Sequence, residues 1–241
     1  QIADATSIMT INDFRTEDVT KGGQGAPLVP IGDRHLFAEF PICLNIGGIA
    51  NVSYEMNDKR IAYDICIANQ LLNYLSNKLG YDYDNNGNFA SQGSVNQDLF
   101  DKLNDNPYYG KSHPKSLGRE FFEEVQHKLV DDSKLDVKDL LRTATEHIAF
   151  QIAKSTEQLE KSKMLITGGG AKNTFLINRI CDLSKHEIII PDTTIIDYKE
   201  ALIFAFLGVL KYERKTNVLS SVTGAASDSS SGKIYLPHNN K

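Results

Sequence analysis

A buried strand that runs into three consecutive glycines and then into a helix is the feature that most limits how this chain can fold. Residues 163–167 are apolar enough for a core strand, glycines 168, 169 and 170 follow, and apolar side chains recur at helical spacing over 173–183. A second strand and helix are predicted at 187–190 and 199–212, the helix being buried nearly all round. This alternation predicts an α/β fold.

Three short apolar segments earlier in the chain predict an antiparallel meander. They cover 42–46, 49–54 and 60–63, and Gly47-Gly48 separates the first two, as is typical of a tight hairpin. The third is predicted to end at Asp64. With the long amphipathic helix predicted over 139–159, these segments indicate a mixed sheet flanked by helices.

Composition excludes several classes of function. The net charge of −5 argues against a nucleic-acid-binding face, which would be basic. The longest nearly apolar run, 201–210, is shorter than the roughly 20 residues that span a bilayer. The three scattered cysteines fit neither a disulfide framework nor a zinc site, so we expect a reducing, cytoplasmic compartment without membrane or nucleic-acid partners. Because the chain opens on Gln1, we interpret it as beginning within a longer sequence.

Both glycine turns are candidate binding sites. Glycines between a strand and a helix allow a ligand to approach the backbone closely, and the Gly47-Gly48 turn exposes amides suited to phosphate oxygens. On local grounds the turn at 168–170 is equally well explained as a tight connection, and an ordinary hairpin is favoured at 47–48. The first matches neither a Rossmann nor a P-loop fingerprint.

Three acidic residues are candidates for chemistry. Asp13 and Asp64 each follow an apolar strand, from which a side chain can project into a cleft. Glu200 is expected to open an apolar helix, where it is either half-buried or complements the helix dipole. Each of these acids taken alone is more typical of a solvated residue than of a catalytic one.

Several longer motifs together resemble the anhydro-N-acetylmuramic acid kinase family. The most specific is Asp-Phe-Arg-x-x-Asp-Val at 13–19, followed by Gly-Gly-Gln-Gly-Ala-Pro-Leu-Val-Pro at 22–30. The others, in family order, lie at 44–52, 114–120, 168–173, 200–205 and 222–225. The resemblance covers essentially the whole chain.

This resemblance implies an actin-like, ribonuclease-H-like ATPase fold of two lobes, with ATP and sugar between them. It implies a cytoplasmic sugar kinase of cell-wall recycling that uses ATP and Mg²⁺. Water would open the anhydro bridge of 1,6-anhydro-N-acetylmuramic acid while the 6-oxygen takes the γ-phosphoryl group, giving N-acetylmuramic acid 6-phosphate. The family also suggests a homodimer.

The resemblance further implies roles for individual residues. Asp64 matches the general base that activates water. Glu200, Asp13, Arg15 and Asn69 are assigned to the sugar. The ATP-binding positions are Asn45, Gly47, Gly48, Gly168, Gly169, Gly170 and Asn173.

Two departures from the family pattern shape the domain prediction. After Asp64 the chain reads Ile-Cys-Ile-Ala-Asn where the family has a Gly-Pro-Gly turn, and the Gly-Thr-Ser-x-Asp-Gly hairpin of the first lobe is absent. We therefore expect mostly the second lobe: 1–18 as a remnant of the first lobe, 19–221 as the second, and 222–241 returning to the first. The alternatives are a degenerate lobe that at most binds nucleotide weakly, and a phosphatase or hydrolase of the same fold class.

Overall fold

The structure is a computed structural model that describes residues 1–238. Residues 239–241, the end of the segment predicted at 222–241, lie outside the described residues. The chain forms two compact units. Unit 1 comprises Gln1–Glu39, Glu55–Ala62 and the chain from Tyr198 onward, and unit 2 comprises Phe40–Tyr54 and Tyr63–Asp197. These boundaries differ from the segments 1–18, 19–221 and 222–241, whose assignment to lobes stays a prediction.

Strands and helices alternate along the chain. The strands are β1 (Thr10–Asn12), β2 (Ile42–Ile46), β3 (Ile49–Met56), β4 (Lys59–Ile67), β5 (Lys163–Thr167), β6 (Glu187–Ile189) and β7 (Lys233–Tyr235). The helices are α1 (Ile2–Thr6), α2 (Thr16–Thr20), α3 (Pro30–Leu36), α4 (Asn69–Asn77), α5 (Gln97–Asn104), α6 (Arg119–Phe121), α7 (His127–Asp132), α8 (Val137–Thr156), α9 (Thr174–Leu183), α10 (Thr193–Tyr212) and α11 (Ser220–Thr223).

A five-stranded mixed sheet in the order β4-β3-β2-β5-β6 organises the middle of the chain. β2 pairs antiparallel with β3 and parallel with β5, and β5 pairs parallel with β6. Asn57 and Asp58, both with positive φ, form the two-residue turn between β3 and β4, a conformation that asparagine and aspartate tolerate. The predicted α/β class, with a mixed sheet flanked by helices, is confirmed.

Helix α8 supplies the largest share of the helical core in unit 2. Its Leu141, Ala144, Ile148 and Ile152 are fully buried at helical spacing, and α4, α5 and α9 pack against it. α4 ends at Asn77 with Lys78 as its C-cap, and Gly80, which has a φ of +83°, follows in the turn after the helix.

The predicted end of the third strand at Asp64 is wrong. β4 continues to Ile67, so that Asp64 lies within the strand and not at its end. Ile65, Cys66 and Ile67 are completely buried. The strand continues past Asp64 because these apolar residues, two of them β-branched, pack in the core. The family's Gly-Pro-Gly turn is thus replaced here by strand.

Unit 1 has a small two-stranded sheet and its own apolar core. β1 and β7 pair antiparallel, with Ile11 opposite Ile234. The core comprises Phe14, Leu28, Ile31, Ala62, Leu207, Leu210, Val218, Leu219 and Val222. Its members come from sequence segments up to 208 positions apart, from Phe14 to Val222, so unit 1 depends on long-range contacts.

The expectation that the helix at 199–212 is buried nearly all round is wrong. Ile203, Leu207 and Leu210 are buried at i, i+4 and i+7, whereas Leu202 and Val209 are 44% and 52% exposed. α10 therefore buries one stripe, as an ordinary surface helix does. It also begins six residues earlier than predicted, at Thr193, since Asp192 accepts a hydrogen bond from the amide of Ile195.

Two composition-based expectations concern membranes and thiols. Among residues 1–238 no helix combines the length and apolar character needed to cross a bilayer. All three cysteines are free thiols, Cys43 and Cys66 being buried and Cys181 exposed. They serve as small apolar side chains or surface residues in this fold.

Candidate functional site

Two glycine turns meet at one edge of the unit 2 sheet. β2 and β5 are parallel neighbours with Asn45 opposite Thr167, and each strand is followed directly by its glycine turn. The carboxyl ends of adjacent parallel strands lie at the same edge, where open α/β sheets bind their ligands. The structure therefore brings together the two turns that the sequence singled out separately.

Two of the glycines are required by the fold itself. Gly168 has a φ of +82°, and a Cβ there would lie 2.6 Å from Oδ1 of Asn45. A Cβ on the buried Gly170 would lie 2.2 Å from Cγ2 of Ile46. These two glycines explain how β2 and the turn after β5 approach so closely.

Three other glycines are not required by the fold. A Cβ would meet nothing closer than 3.4 Å at Gly47, 3.8 Å at Gly48 and 3.6 Å at Gly169, and none of the three has a positive φ. Gly48 and Gly169 are exposed. We call Gly47, Gly48 and Gly169 the bare glycines, because an absent side chain at these positions leaves backbone accessible to a ligand.

Asn69, the first residue of α4, fastens the glycine hairpin to that helix. Its Nδ2 donates to the carbonyl of Ile46 at 3.1 Å, and its backbone amide donates to the carbonyl of Gly47 at 3.1 Å. The amide of Ala68 donates to the carbonyl of Gly48 at 2.8 Å. Asn69 thus lies beside the bare glycines and helps to fix their orientation.

Asn173 caps helix α9. Its Oδ1 accepts a hydrogen bond from the amide of Leu176 at 3.0 Å, which satisfies one of the unpaired amides of the first turn. A Cβ on Gly87 would lie 2.6 Å from the same oxygen, so the neighbouring loop packs tightly on this cap. The structure shows a capping role for Asn173, and its contact with ATP stays a prediction.

Asp64 is half-buried on β4 and is held from several sides. Its Oδ2 accepts a hydrogen bond from the amide of Leu117 at 2.9 Å, and its carbonyl accepts one from Oη of Tyr108 at 2.6 Å. Burial raises the pKa of its carboxyl, and the hydrogen bond from Leu117 only partly offsets that rise. A carboxylate of raised pKa with one oxygen left for another partner is suited to accept a proton.

Asp13 and Arg15 lie in unit 1, at the beginning of the chain. Asp13 directly follows β1, as predicted, and pairs with Lys233 at 2.7 Å while accepting a hydrogen bond from Oγ1 of Thr16 at 2.6 Å. The bond from Lys233, followed by that from Thr16, lowers the pKa of Asp13 to about 2. Arg15 is exposed and donates from Nη1 to the carbonyl of Gly25.

The predicted environment of Glu200 is wrong. Glu200 is exposed rather than half-buried, and it lies in the third turn of α10 because that helix begins at Thr193. The helix-dipole interpretation therefore fails, since that effect is confined to the first and last turns. Its assignment to the sugar stays a prediction.

Asp18 belongs to the family motif at 13–19, but the sequence did not predict its structural role. It is fully buried, accepts from the amide of Gly25 at 2.8 Å, and accepts from Oγ1 of Thr223 at 2.7 Å. A Cβ on Gly23 would lie 2.2 Å from Oδ2 of Asp18, so the glycine-rich loop closes directly over the carboxylate. The available signal was an acid next to a loop dense in glycine, whose free amides need acceptors.

A family model and similar curated relatives name the same family. A family model described as anhydro-N-acetylmuramic acid kinase matches residues 1–237. The anhydro-N-acetylmuramic acid kinase of Actinobacillus pleuropneumoniae serotype 7 is 36% identical over 97% of this chain and 67% of its own length. That of Vibrio vulnificus strain YJ016 is 36% identical over 97% of this chain and 66% of its own length. The chain thus spans about two thirds of these relatives.

Two solved structures are also similar. The activator of 2-hydroxyisocaproyl-CoA dehydratase from Clostridium difficile, with bound ADPNP, gives a TM-score of 0.43 at 18% identity, covering 77% of this chain and 66% of that one. Component A of the (R)-2-hydroxyglutaryl-CoA dehydratase of Acidaminococcus fermentans gives a TM-score of 0.46 at 13% identity, covering 73% of this chain and 63% of that one.

Proposed function

Because this chain belongs to the anhydro-N-acetylmuramic acid kinase family, a family of sugar kinases, we propose that it contributes to ATP-dependent phosphorylation of 1,6-anhydro-N-acetylmuramic acid. In the proposed reaction water adds to the anomeric carbon and the bond from that carbon to the 6-oxygen breaks. The 6-oxygen accepts the γ-phosphoryl group of ATP, and a base takes the proton of the water. The products are N-acetylmuramic acid 6-phosphate and ADP.

The observation that carries the proposal is the set of bare glycines at the edge of the unit 2 sheet. Phosphoryl transfer depends mainly on positioning and on compensating charge, and backbone amides at glycine turns supply both without side chains. Gly47, Gly48 and Gly169 lack a side chain where the fold does not demand it. We assign ATP to this edge. The positions that complete the proposed ATP site and maintain the conformation of the two turns are Asn45, Gly168, Gly170 and Asn173.

Asp64 is the proposed general base. Its raised pKa strengthens it as a proton acceptor compared with an exposed aspartate, and the amide of Leu117 fixes one of its two oxygens. The other oxygen would accept the proton of the attacking water. Glu200, Asp13, Arg15 and Asn69 are the residues that we assign to the sugar.

Mg²⁺ is proposed to enter with ATP. Among residues 1–238 no group of three or more histidine, cysteine, aspartate or glutamate side chains could by itself hold a metal ion. Mg²⁺ commonly relies on substrate phosphates, water and one or two carboxylates, so the phosphates of ATP would supply most of its ligands. The buried free thiols are in keeping with the proposed cytoplasmic location.

The proposal is tested by incubating the purified chain with Mg–ATP and 1,6-anhydro-N-acetylmuramic acid and by identifying the products by mass spectrometry. We expect N-acetylmuramic acid 6-phosphate and ADP in equal amounts, and no ADP without the sugar. Calorimetric binding of Mg–ATP with no sugar phosphate formed would favour the alternative of a nucleotide-binding lobe. Release of inorganic phosphate in place of a sugar phosphate would favour the phosphatase alternative.

A further inference from the structure

A cavity of about 220 Å³ lies in unit 2 beside β4. Its lining includes Lys111, His113, Lys115 and Lys154, whereas no carboxylate side chain is among the described residues that line it. The whole chain carries a net charge of −5, so this concentration of cationic side chains contrasts with the rest of the molecule. Such a cavity favours an anionic ligand.

The lysines of this cavity have no carboxylate partner. In the described part of the chain, none of the ion pairs involves Lys111, Lys115 or Lys154. Burial, and then the charge of Lys111, lower the pKa of Lys115, the direction expected where positive charges repel without compensation. A bound anion would remove that repulsion.

Aromatic side chains and a buried amide give the cavity a defined shape. Nζ of Lys115 lies 4.8 Å from the ring centre of Tyr108 and 5.3 Å from that of Tyr63, so the two rings hold the ammonium group in place. The ring of His113 is stacked on Tyr63. The buried Gln151 donates to Oδ1 of Asn104 at 2.7 Å, which fixes its amide in the wall.

We propose that this cavity is a binding site for a phosphate-type dianion. Two or more ammonium groups around one small cavity match a doubly charged tetrahedral oxyanion better than a single carboxylate. Lys111 and Lys154, which are exposed at the rim, supply charge, and Lys115 and His113 line the interior. The site is separate from the bare glycines and involves none of the residues assigned to ATP.

Occupancy of the cavity is coupled to Asp64 through one short segment. The carbonyl of Lys115 accepts from the amide of Asp64 at 3.3 Å, and two residues later the amide of Leu117 donates to the Asp64 carboxylate. An anion that immobilises Lys115 therefore also restrains the segment that orients Asp64. The ligand would act on the reactivity of Asp64 without touching it.

Titration of the purified chain with inorganic phosphate at constant ionic strength, followed by calorimetry, tests the binding site without ATP or sugar. We expect saturable binding of phosphate, weaker binding of acetate, and a loss of affinity of about tenfold or more in Lys111→Ala/Lys154→Ala. The matched control is Lys161→Ala/Lys185→Ala, which removes the same charge from exposed positions of unit 2 outside the cavity, and it should bind as the parent does.

The proposal would be overturned by no saturable binding, by equal losses in the two double variants, or by acetate binding as tightly as phosphate. Phosphate bound only at the bare glycines would leave Lys111→Ala/Lys154→Ala unaffected and would also count against it. Because the assay needs no turnover, failure of the anion site and failure of the proposed kinase activity are separate results.

Discussion

The backbone amide of Leu117 donates a hydrogen bond of 2.9 Å to Oδ2 of Asp64, across 53 positions of sequence. The loop that follows the turn at Pro107–Gly110 therefore holds the carboxylate of a residue in the middle of β4. The two carboxylate oxygens therefore differ, because Oδ2 is held by the amide of Leu117 and Oδ1 is left for a substrate.

Asp64→Asn should stop catalysis while leaving the fold intact. The amide oxygen of asparagine can accept the bond from Leu117, but the side chain cannot take a proton, so we expect turnover to fall by about 10²–10⁴-fold. Binding of Mg–ATP, measured by calorimetry, should be unchanged. Near-parental turnover would remove Asp64 from the role of base.

The raised pKa of Asp64 also predicts how pH affects stability. A carboxyl whose pKa is higher in the folded than in the unfolded chain binds its proton more tightly when folded, so stability falls as pH rises from 3.8 through the raised value. Asp64→Asn removes this loss. The variant should therefore have a higher Tm than the parent at pH 7, with the difference shrinking as pH falls toward 4.

Asp18→Ala should destabilise unit 1 by about 2–3 kcal/mol, because the amide of Gly25 and the hydroxyl of Thr223 would lose a buried, charged acceptor. Thr223→Val, which removes one of the two bonds, should cost about 1 kcal/mol. Urea unfolding of both single variants and of the double variant gives the coupling between them. Strictly additive losses would show that the contact contributes nothing of its own.

Substitution by alanine should affect stability at Gly168 but nucleotide binding at the adjacent Gly169. Gly168→Ala should lower stability by about 1–3 kcal/mol or more, because a φ of +82° with a ψ of 170° is essentially restricted to glycine. Gly169→Ala should alter stability by only about 0.5 kcal/mol and yet weaken binding of Mg–ATP. Urea unfolding and calorimetry separate the two effects. Unweakened nucleotide binding in Gly169→Ala would contradict the assignment of ATP to this edge.

His147 should make the chain sensitive to mild acid. It is fully buried, its Nδ1 lies 2.8 Å from Oδ1 of Asn104, and burial lowers its pKa to about 3. The folded chain therefore binds fewer protons than the unfolded chain between about pH 3 and 6.5, so stability is full above 6.5 and falls as pH decreases. The limiting slope for one histidine is about 1.4 kcal/mol per pH unit.

His147→Gln provides the comparison for that slope. The variant keeps a polar side chain but has no group that titrates in this range, so its unfolding free energy should depend less on pH between 6.5 and 4.5 than that of the parent. Parallel pH profiles for the two proteins would show that His147 is not the group responsible.

Much of unit 2 could be predicted because its signals are local. The apolar runs of β2 and β5 are each followed directly by their glycines, and the parallel pairing of these two strands then brings the turns together. The end of β4 was missed because Asp64 interrupts the run, and burial of Ile65 and Ile67 outweighs that interruption. The start of α10 was missed because Thr193 and Thr194 have weak helical propensity, which the cap from Asp192 outweighs.

Long-range contacts could not be predicted. The carboxylate of Asp18 is buried only because Thr223 and the glycine loop close around it, and nothing in the neighbouring residues indicates a partner 205 positions away. The contact of Leu117 with Asp64 could not be predicted either, because it is made by a backbone amide, which every residue except proline has. Candidate acids could be listed from the sequence, but which of them is held, paired or exposed is decided by tertiary structure.

The discontinuity of unit 1 has a consequence for how the chain is made. At about 5–20 residues per second, a ribosome delivers Thr223 roughly 10–40 s after Asp18. All of unit 2 has been synthesised before Tyr198. At that point the hydroxyl of Thr223, which donates to the carboxylate of Asp18, has not yet been added to the chain. Unit 2, to which we assign ATP, can therefore fold first, whereas unit 1 is completed only after the segment from Tyr198 onward has been synthesised.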